Sequence, residues 1–143
     1  MGVITFRYKT IIHAPRQAVW SFFQSATNLT TITSFPKVEI ISSPEIKPGN
    51  KIEMQLSFLK VKMTWVSLIK YVEPPYRFMD KGIIVPYPIK TWTHKHTFHQ
   101  KGADTIMVDT VECSAFIPNM IVRLVLHKMF QNRAKNLIAH FTN

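Results

Sequence analysis

The segment from Pro118 to Phe141 constrains the fold more than any other part of the sequence. Pro118 suits the first turn of a helix, where its missing N–H would be unpaired anyway, and no glycine or further proline follows it. The spacing predicts a helix roughly 35 Å long at 1.5 Å per residue. Such a helix cannot bury its apolar stripe alone, so the preceding residues must supply a surface to receive it. The stripe consists of Val122, Leu126, Met129, Phe130, Ala134, Leu137, Ile138 and Phe141. The first half, from Met120 to Leu126, is apolar almost all round, and we expect this end to be the more deeply enclosed.

The residues before this helix alternate between apolar and polar side chains, which is typical of half-buried strands. One strand comes first, two short helices follow, and six strands then lead to the long helix. Because strands and helices do not alternate, the sheet should be antiparallel. The predicted strands cover residues 5–13, 37–42, 52–58, 61–72, 76–81, 91–99 and 105–113, and the short helices cover residues 16–24 and 27–33. The sequence therefore predicts an α+β fold in which seven antiparallel strands wrap around one long helix.

The composition fits a single domain spanning residues 1–143. Hydrophobic residues make up 46% and charged residues 18% of the 143 residues, which excludes a disordered chain. No stretch approaches the ~20 apolar residues of a membrane span, and the first residues lack the apolar run of a signal peptide. Cys113 is the single cysteine, which we expect to be an inert buried thiol. These features favour a cytoplasmic location.

The charge balance is strongly basic. Eighteen Lys and Arg residues against eight Asp and Glu residues give a net charge of +10. Such a charge favours polyanionic partners, namely RNA, the ribosome or an anionic membrane. The basic residues are scattered, however, and form no Lys/Arg-rich run, so a solvated basic surface is the alternative interpretation.

Three sequence patterns point to a known family. The pattern I-x-A-P-x-x-x-V-W-x-F runs from Ile12 to Phe22, W-x-H-x-H-x-F runs from Trp92 to Phe98, and G-x-x-T-x-x-x-D-x-V-E runs from Gly102 to Glu112. Together they resemble the START-related, birch-pollen-allergen-like (SRPBCC) superfamily, in particular its small cyclase/dehydrase-like or ligand-binding members. The resemblance covers essentially the whole chain. Cys113 departs from it, because an aromatic residue is usual at that position in similar sequences.

This resemblance implies a helix-grip fold, in which the sheet wraps the final helix and leaves an apolar cavity between them. Members of the family bind lipids, sterols, polyketides or hormones in that cavity, and a minority catalyse cyclisation or dehydration. The sequence has no Gly-rich phosphate loop and no cysteine pair for zinc, and we predict no cofactor.

A histidine pair lies on one predicted strand. His94 and His96 are two residues apart and share a face with Trp92 and Phe98. A turn centred near Gly102 sets His94 opposite Asp109 on the next strand. Three roles are open for this pair: a buried polar pair that satisfies itself, a pair that orients a ligand, or a general acid–base pair. His-x-His with Asp109 offers three metal ligands, but no fourth ligand is visible, so we predict no metal site.

We expect the cavity to be lined by apolar residues from several strands and the last helix, together with the histidine pair. The predicted wall consists of Met54, Phe58, Met63, Trp65, Trp92, His94, His96, Met107, Asp109, Met120 and Leu124. Residues 82–89 form either a mobile flap over the entrance or a packed connection, and the short helices near Asn28 are expected to frame the entrance. The predicted function is the binding of a hydrophobic or amphipathic small molecule, lipid-like or polyketide-like. The alternatives are a cyclase/dehydratase-like enzyme that uses the same pocket, with His94 and Asp109 as catalytic residues, or a basic module that docks on RNA or an anionic membrane.

Overall fold

The computed structural model describes residues 2–142, which form seven strands and three helices. The strands are β1 (Ile4–Ile12), β2 (Lys37–Ile40), β3 (Lys51–Phe58), β4 (Val61–Glu73), β5 (Arg77–Ile84), β6 (Ile89–Lys101) and β7 (Asp104–Ala115). The helices are α1 (Arg16–Phe22), α2 (Thr27–Ile32) and α3 (Asn119–Thr142). Every predicted element is present, with ends that differ from the predicted ends by a few residues.

The seven strands form one curled sheet in the order β1-β7-β6-β5-β4-β3-β2. All neighbouring pairs are antiparallel, as the absence of β–α alternation predicted. Successive strands pair with each other except at one point, where β1 joins the far side of β7. The α+β helix-grip fold is confirmed.

The long helix α3 buries one face from Leu126 onward, while most residues of its first two turns are exposed. Leu126, Phe130, Ala134 and Leu137 recur at helical spacing and are buried as predicted. The prediction that the first half is the more deeply enclosed is wrong, because Met120 is 72% exposed and Leu124 61% exposed. A segment that is apolar all round needs cover on two sides, and the sheet covers only one.

The β6–β7 hairpin turns more tightly than predicted. Lys101 pairs with Asp104, so only Gly102 and Ala103 connect the strands, and Gly102 supplies the positive φ of +60°. His96, not His94, therefore lies opposite Asp109, and the predicted pairing of His94 with Asp109 across the ladder is wrong. The shift is an even number of residues, so the inward faces of both strands still coincide.

The segment 82–89 packs on the core on one side only, because Ile83, Ile84 and Tyr87 are exposed. Gly82 to Ile84 belong to β5 and Ile89 begins β6, which leaves residues 85–88 as the connection. Val85 packs on the core cluster that contains Trp92, and a Cβ atom on Gly82 would lie 2.6 Å from the Val85 side chain. None of the residues 82–89 lines the cavity between the sheet and α3, so the segment is not a flap over that cavity.

No helix within residues 2–142 is both long and apolar enough to cross a membrane.

Candidate functional site

A cavity of about 550 Å³ lies between the sheet and α3. This volume is within the range of small-molecule sites. Strands β2 to β6 supply nearly half of the lining residues, and the rest come from the chain between the end of α1 and β2, from Ile46 and from one side of α3. The lining side chains are Phe23, Ser25, Ala26, Leu29, Thr33, Ser34, Phe35, Pro36, Val38, Ile46, Ile52, Met54, Leu56, Phe58, Trp65, Ser67, Ile69, Phe78, Asp80, Trp92, His94, His96, Val125, Lys128, Met129, Phe130, Asn132 and Arg133. Most of them are apolar.

Six of the eleven predicted wall residues line this cavity. They are Met54, Phe58, Trp65, Trp92, His94 and His96. The five others do not, and the prediction is wrong for them: Met63, Met107, Asp109, Met120 and Leu124.

The structure places each of these five residues outside the cavity wall. Met63 lies beyond Trp65 toward the β3–β4 turn. Met107 belongs to a core cluster with residues of α1, and Asp109 is fully buried behind His94. Met120 and Leu124 point to solvent from the exposed first turns of α3.

The entrance lies between the segment after α2 and α3. Phe35, Val125, Lys128 and Asn132 line the cavity and are also exposed. The connection between α1 and α2 contributes Ser25 and Ala26 to the wall and α2 contributes Leu29, close to where the sequence predicted the entrance. Sequence reasoning missed the α3 side of the entrance, because Lys128 and Asn132 look like ordinary solvent-facing helix residues.

Two histidines and two aspartates form a buried cluster beside the cavity. His94 Nε2 lies 2.8 Å from Asp109 Oδ1, and His96 Nε2 lies 2.9 Å from Asp80 Oδ2. Both histidines and Asp109 are at least 94% buried. His96 Nδ1 is 3.5 Å from Asp109 Oδ1 and has no hydrogen-bond partner among residues 2–142. Asp80 comes from β5 and was not predicted, although it shares the inward face of that strand with Phe78.

Aromatic stacking holds the two imidazole rings in place. The His94 and His96 rings stack with centroids 3.7 Å apart, and Phe78 stacks on the other face of His96 at 4.1 Å. Phe130 of α3 meets His94 edge-on at 5.6 Å. The sheet and the helix therefore both fix the orientation of these rings.

The electrostatics of the cluster follow from burial and from these hydrogen bonds. Burial is the largest single effect and raises the pKa of each aspartate, but the histidine hydrogen bond and the nearby positive charges together outweigh it. The pKa of Asp80 is therefore below its ordinary value, and so is that of Asp109, which Arg133 lowers further. Burial, together with the nearby His94, lowers the pKa of His96 to about 4 against the opposing effect of Asp80. At neutral pH the cluster contains two carboxylates and a neutral His96.

This arrangement offers hydrogen-bonding groups to a molecule in the cavity. An ionised carboxylate can only accept hydrogen bonds. His94 Nε2 therefore donates to Asp109, and His96 Nε2 donates to Asp80. The Nδ1 atom of a neutral imidazole then keeps a lone pair that can accept a hydrogen bond or bind a metal ion. Asp80 offers a carboxylate oxygen and His94 and His96 each offer a ring nitrogen, and these three potential metal ligands lie within 4.8 Å of one another.

No family model matches the sequence, and no curated protein matches it. Solved structures do resemble its fold. A structure of protein CV1439 from Chromobacterium violaceum superposes with a TM-score of 0.83 at 14% identity over 97% of both chains. Ara h 8.0201 gives 0.75 at 13% identity over 99% of both chains, and ginseng major latex-like protein 151 from Panax ginseng gives 0.72 at 12% over 99% of both. The chain therefore has the helix-grip fold of the birch-pollen-allergen-like (SRPBCC) proteins.

Proposed function

We propose that this protein binds a hydrophobic or amphipathic small molecule in the cavity between the sheet and α3. The observation that carries the proposal is the cavity itself, which combines about 550 Å³ and an apolar wall with a few polar groups gathered at one place. An apolar core formed for stability alone would close over such a space, because an unfilled cavity lowers the free energy of unfolding.

The wall divides into an apolar part and a polar part with different roles. Met54, Phe58 and Trp65 line the apolar part, where burial contributes about 25 cal/mol per Å² before the costs of binding. His94 and His96 supply the polar part, and a hydroxyl or carboxylate of the ligand would hydrogen-bond there. An amphipathic molecule with one polar end fits this division better than a uniformly apolar one.

The binding of an uncharged dye tests the proposal. N-phenylnaphthylamine should bind the wild-type protein at one site per chain, with an increase in fluorescence. Met54→Trp places a larger side chain in the wall, and we expect it to weaken binding at least about tenfold. Met120→Trp makes the same exchange at an exposed position outside the cavity and should leave binding unchanged. Equal binding by both variants would place the dye elsewhere and argue against a ligand cavity.

A second candidate function is docking of the protein on an anionic membrane, from which an amphipathic ligand could be collected. The observation that favours it is the exposure of apolar side chains in the first turns of α3. Met120, Ile121, Leu124 and Val125 recur on one side of the helix and are exposed, and Lys128 continues the same stripe. We call these five residues the α3 stripe. Val125 and Lys128 also line the cavity, so the α3 stripe leads to the entrance.

Charge selects an anionic lipid surface as the partner of the α3 stripe. The chain carries a net charge of +10, and Arg123 and Lys128 accompany the apolar residues on the helix. An apolar helix face with flanking basic residues is typical of segments that lie in the interface of an anionic membrane.

A further inference from the structure

The buried cluster beside the cavity has the composition of a transition-metal site. Imidazole nitrogens and carboxylate oxygens are the ligands that Zn²⁺ and its neighbours in the first transition series take in proteins. Two histidines come from β6 and one aspartate from β5, and the neighbouring strands hold all three side chains on one face of the sheet. Asp80 is the carboxylate ligand of this group, and it comes from a strand outside the β6–β7 hairpin in which the sequence pattern placed the candidate ligands.

The distances are close to those that a metal ion requires. Neighbouring donors around a tetrahedral zinc ion with bonds of ~2.1 Å are about 3.4 Å apart. In this cluster one ligand atom from each of Asp80, His94 and His96 lies within 4.8 Å of the others. A metal ion at this point would replace the hydrogen bond between Asp80 Oδ2 and His96 Nε2, which are 2.9 Å apart.

The hydrogen bonds of the cluster leave lone pairs available. His94 donates through Nε2 to Asp109, so a neutral His94 keeps the lone pair of Nδ1. His96 faces Asp80 through Nε2, so a metal ion shared with Asp80 would bind this nitrogen and leave the ring proton on Nδ1, beside Asp109 Oδ1 at 3.5 Å. An aspartate behind a ligating histidine is a common arrangement at zinc sites, where it fixes the tautomer and orientation of the ring.

The charge of the cluster also favours a cation. Asp80 and Asp109 bring two buried carboxylates, and Arg133 is the nearby cation that acts on Asp109. Buried carboxylates are costly unless hydrogen bonds or positive charges compensate them. A divalent ion would supply two positive charges at this point.

We propose that Asp80, His94 and His96 form a binding site for one divalent transition-metal ion, with Asp109 holding His94 from behind. The three ligands line the cavity, so the remaining coordination positions face it. On the basis of the proposed function, a ligand with a carboxylate or hydroxyl group would coordinate the ion there. The metal site itself does not depend on that ligand.

Titration of the metal-free protein with Zn²⁺ in a calorimeter tests this proposal, and Co²⁺ provides a visible absorption spectrum of the bound ion. We expect one ion per chain. Asp80→Asn and His96→Gln should each weaken binding by more than about 100-fold, and Asp109→Asn by about 10- to 100-fold, as for other partners behind a metal ligand. His99→Gln is the matched control, because His99 is on the same strand and faces outward. His13→Gln is a second control that removes an exposed His–Asp pair.

The result that would overturn the proposal is the absence of stoichiometric binding, or binding that survives Asp80→Asn and His96→Gln but is lost in a control variant. Circular dichroism must show that each variant is folded. If a variant in the cluster unfolds, imidazole NMR of the wild-type protein provides the answer, because Zn²⁺ should shift the ring nitrogens of His94 and His96 and leave those of His99 in place. The dye experiment with Met54→Trp is independent, so metal binding and ligand binding can fail separately.

Discussion

His94 donates a hydrogen bond to Asp109 at 2.8 Å, although the residue opposite His94 on β7 is Val111. His96 lies opposite Asp109 but bonds to Asp80, which in turn lies opposite His94 on β5. Each histidine therefore bonds to the aspartate that faces the other histidine. Both hydrogen bonds run diagonally and link three neighbouring strands at one level of the sheet.

This crossed arrangement makes Asp109 important for stability. We expect Asp109→Ala to lower the free energy of unfolding by about 3–5 kcal/mol, because it leaves a buried polar network without one partner. Asp104→Ala is the control, since Asp104 forms an exposed pair with His13 at 3.3 Å and should cost less than about 1 kcal/mol. Urea denaturation at neutral pH measures both values. Similar losses in both variants would contradict the structural role given to the cluster.

The sequence predicted the order of the elements because alternating apolar residues mark strands and helical spacing marks α3. It did not predict the register of the β6–β7 hairpin, since the loop length depends on which residue adopts the positive φ, here Gly102. His94 and Asp109 are nevertheless hydrogen-bonded, because a shift of the strand register by an even number of residues keeps both side chains on the inward face of the sheet.

The position of Asp80 beside the two histidines could not be predicted from the residues around it in the sequence. It is a single acidic residue between Met79 and Lys81, and only the pairing of β5 with β6 brings it to the histidines.

The exposure of the first turns of α3 was not predicted for a related reason. Met120 and Leu124 satisfy the apolar pattern of a buried helix, but burial depends on how far the sheet extends over the helix.

The middle of α3 and its first turns should respond differently to side-chain truncation. Phe130 is 2% exposed and packs on Phe6, Tyr8 and His94. Phe130→Ala should therefore cost about 3–5 kcal/mol of unfolding free energy. Leu124→Ala, in the exposed first turns, should change it by no more than about 0.5 kcal/mol. Thermal or chemical unfolding distinguishes the two variants, and a large cost at Leu124 would mean that these first turns are covered in solution.

Cys113 should be chemically inert in the folded protein. The thiol is buried, and burial raises its pKa, so the reactive thiolate is scarce. We expect iodoacetamide to alkylate the native protein at least about tenfold more slowly than the unfolded protein at the same mildly alkaline pH. Mass spectrometry follows the added group. Equal rates in both states would show that the β7 end of the core opens readily.

The α3 stripe should bind anionic vesicles if it docks on membranes. The protein should sediment with phosphatidylglycerol vesicles and not with phosphatidylcholine vesicles, and salt should weaken the binding. Replacing Ile121 and Leu124 together by serine should reduce binding at least about tenfold, because burial of both side chains is lost. Ile11→Ser changes an exposed apolar residue on β1 and serves as the control. Equal binding by all forms, or no binding, would exclude this function of the stripe.

Native mass spectrometry of the freshly purified protein, followed by extraction with organic solvent, shows whether the cavity holds a ligand. We expect an additional mass of a few hundred daltons, present at one copy per chain and released by solvent, in keeping with a cavity of about 550 Å³. The extracted molecule should have an apolar body and one polar end, and Met54→Trp should lower its occupancy while Met120→Trp should not. A protein that carries no such molecule, and that takes up none from extracts of its own cells, would contradict the proposed function.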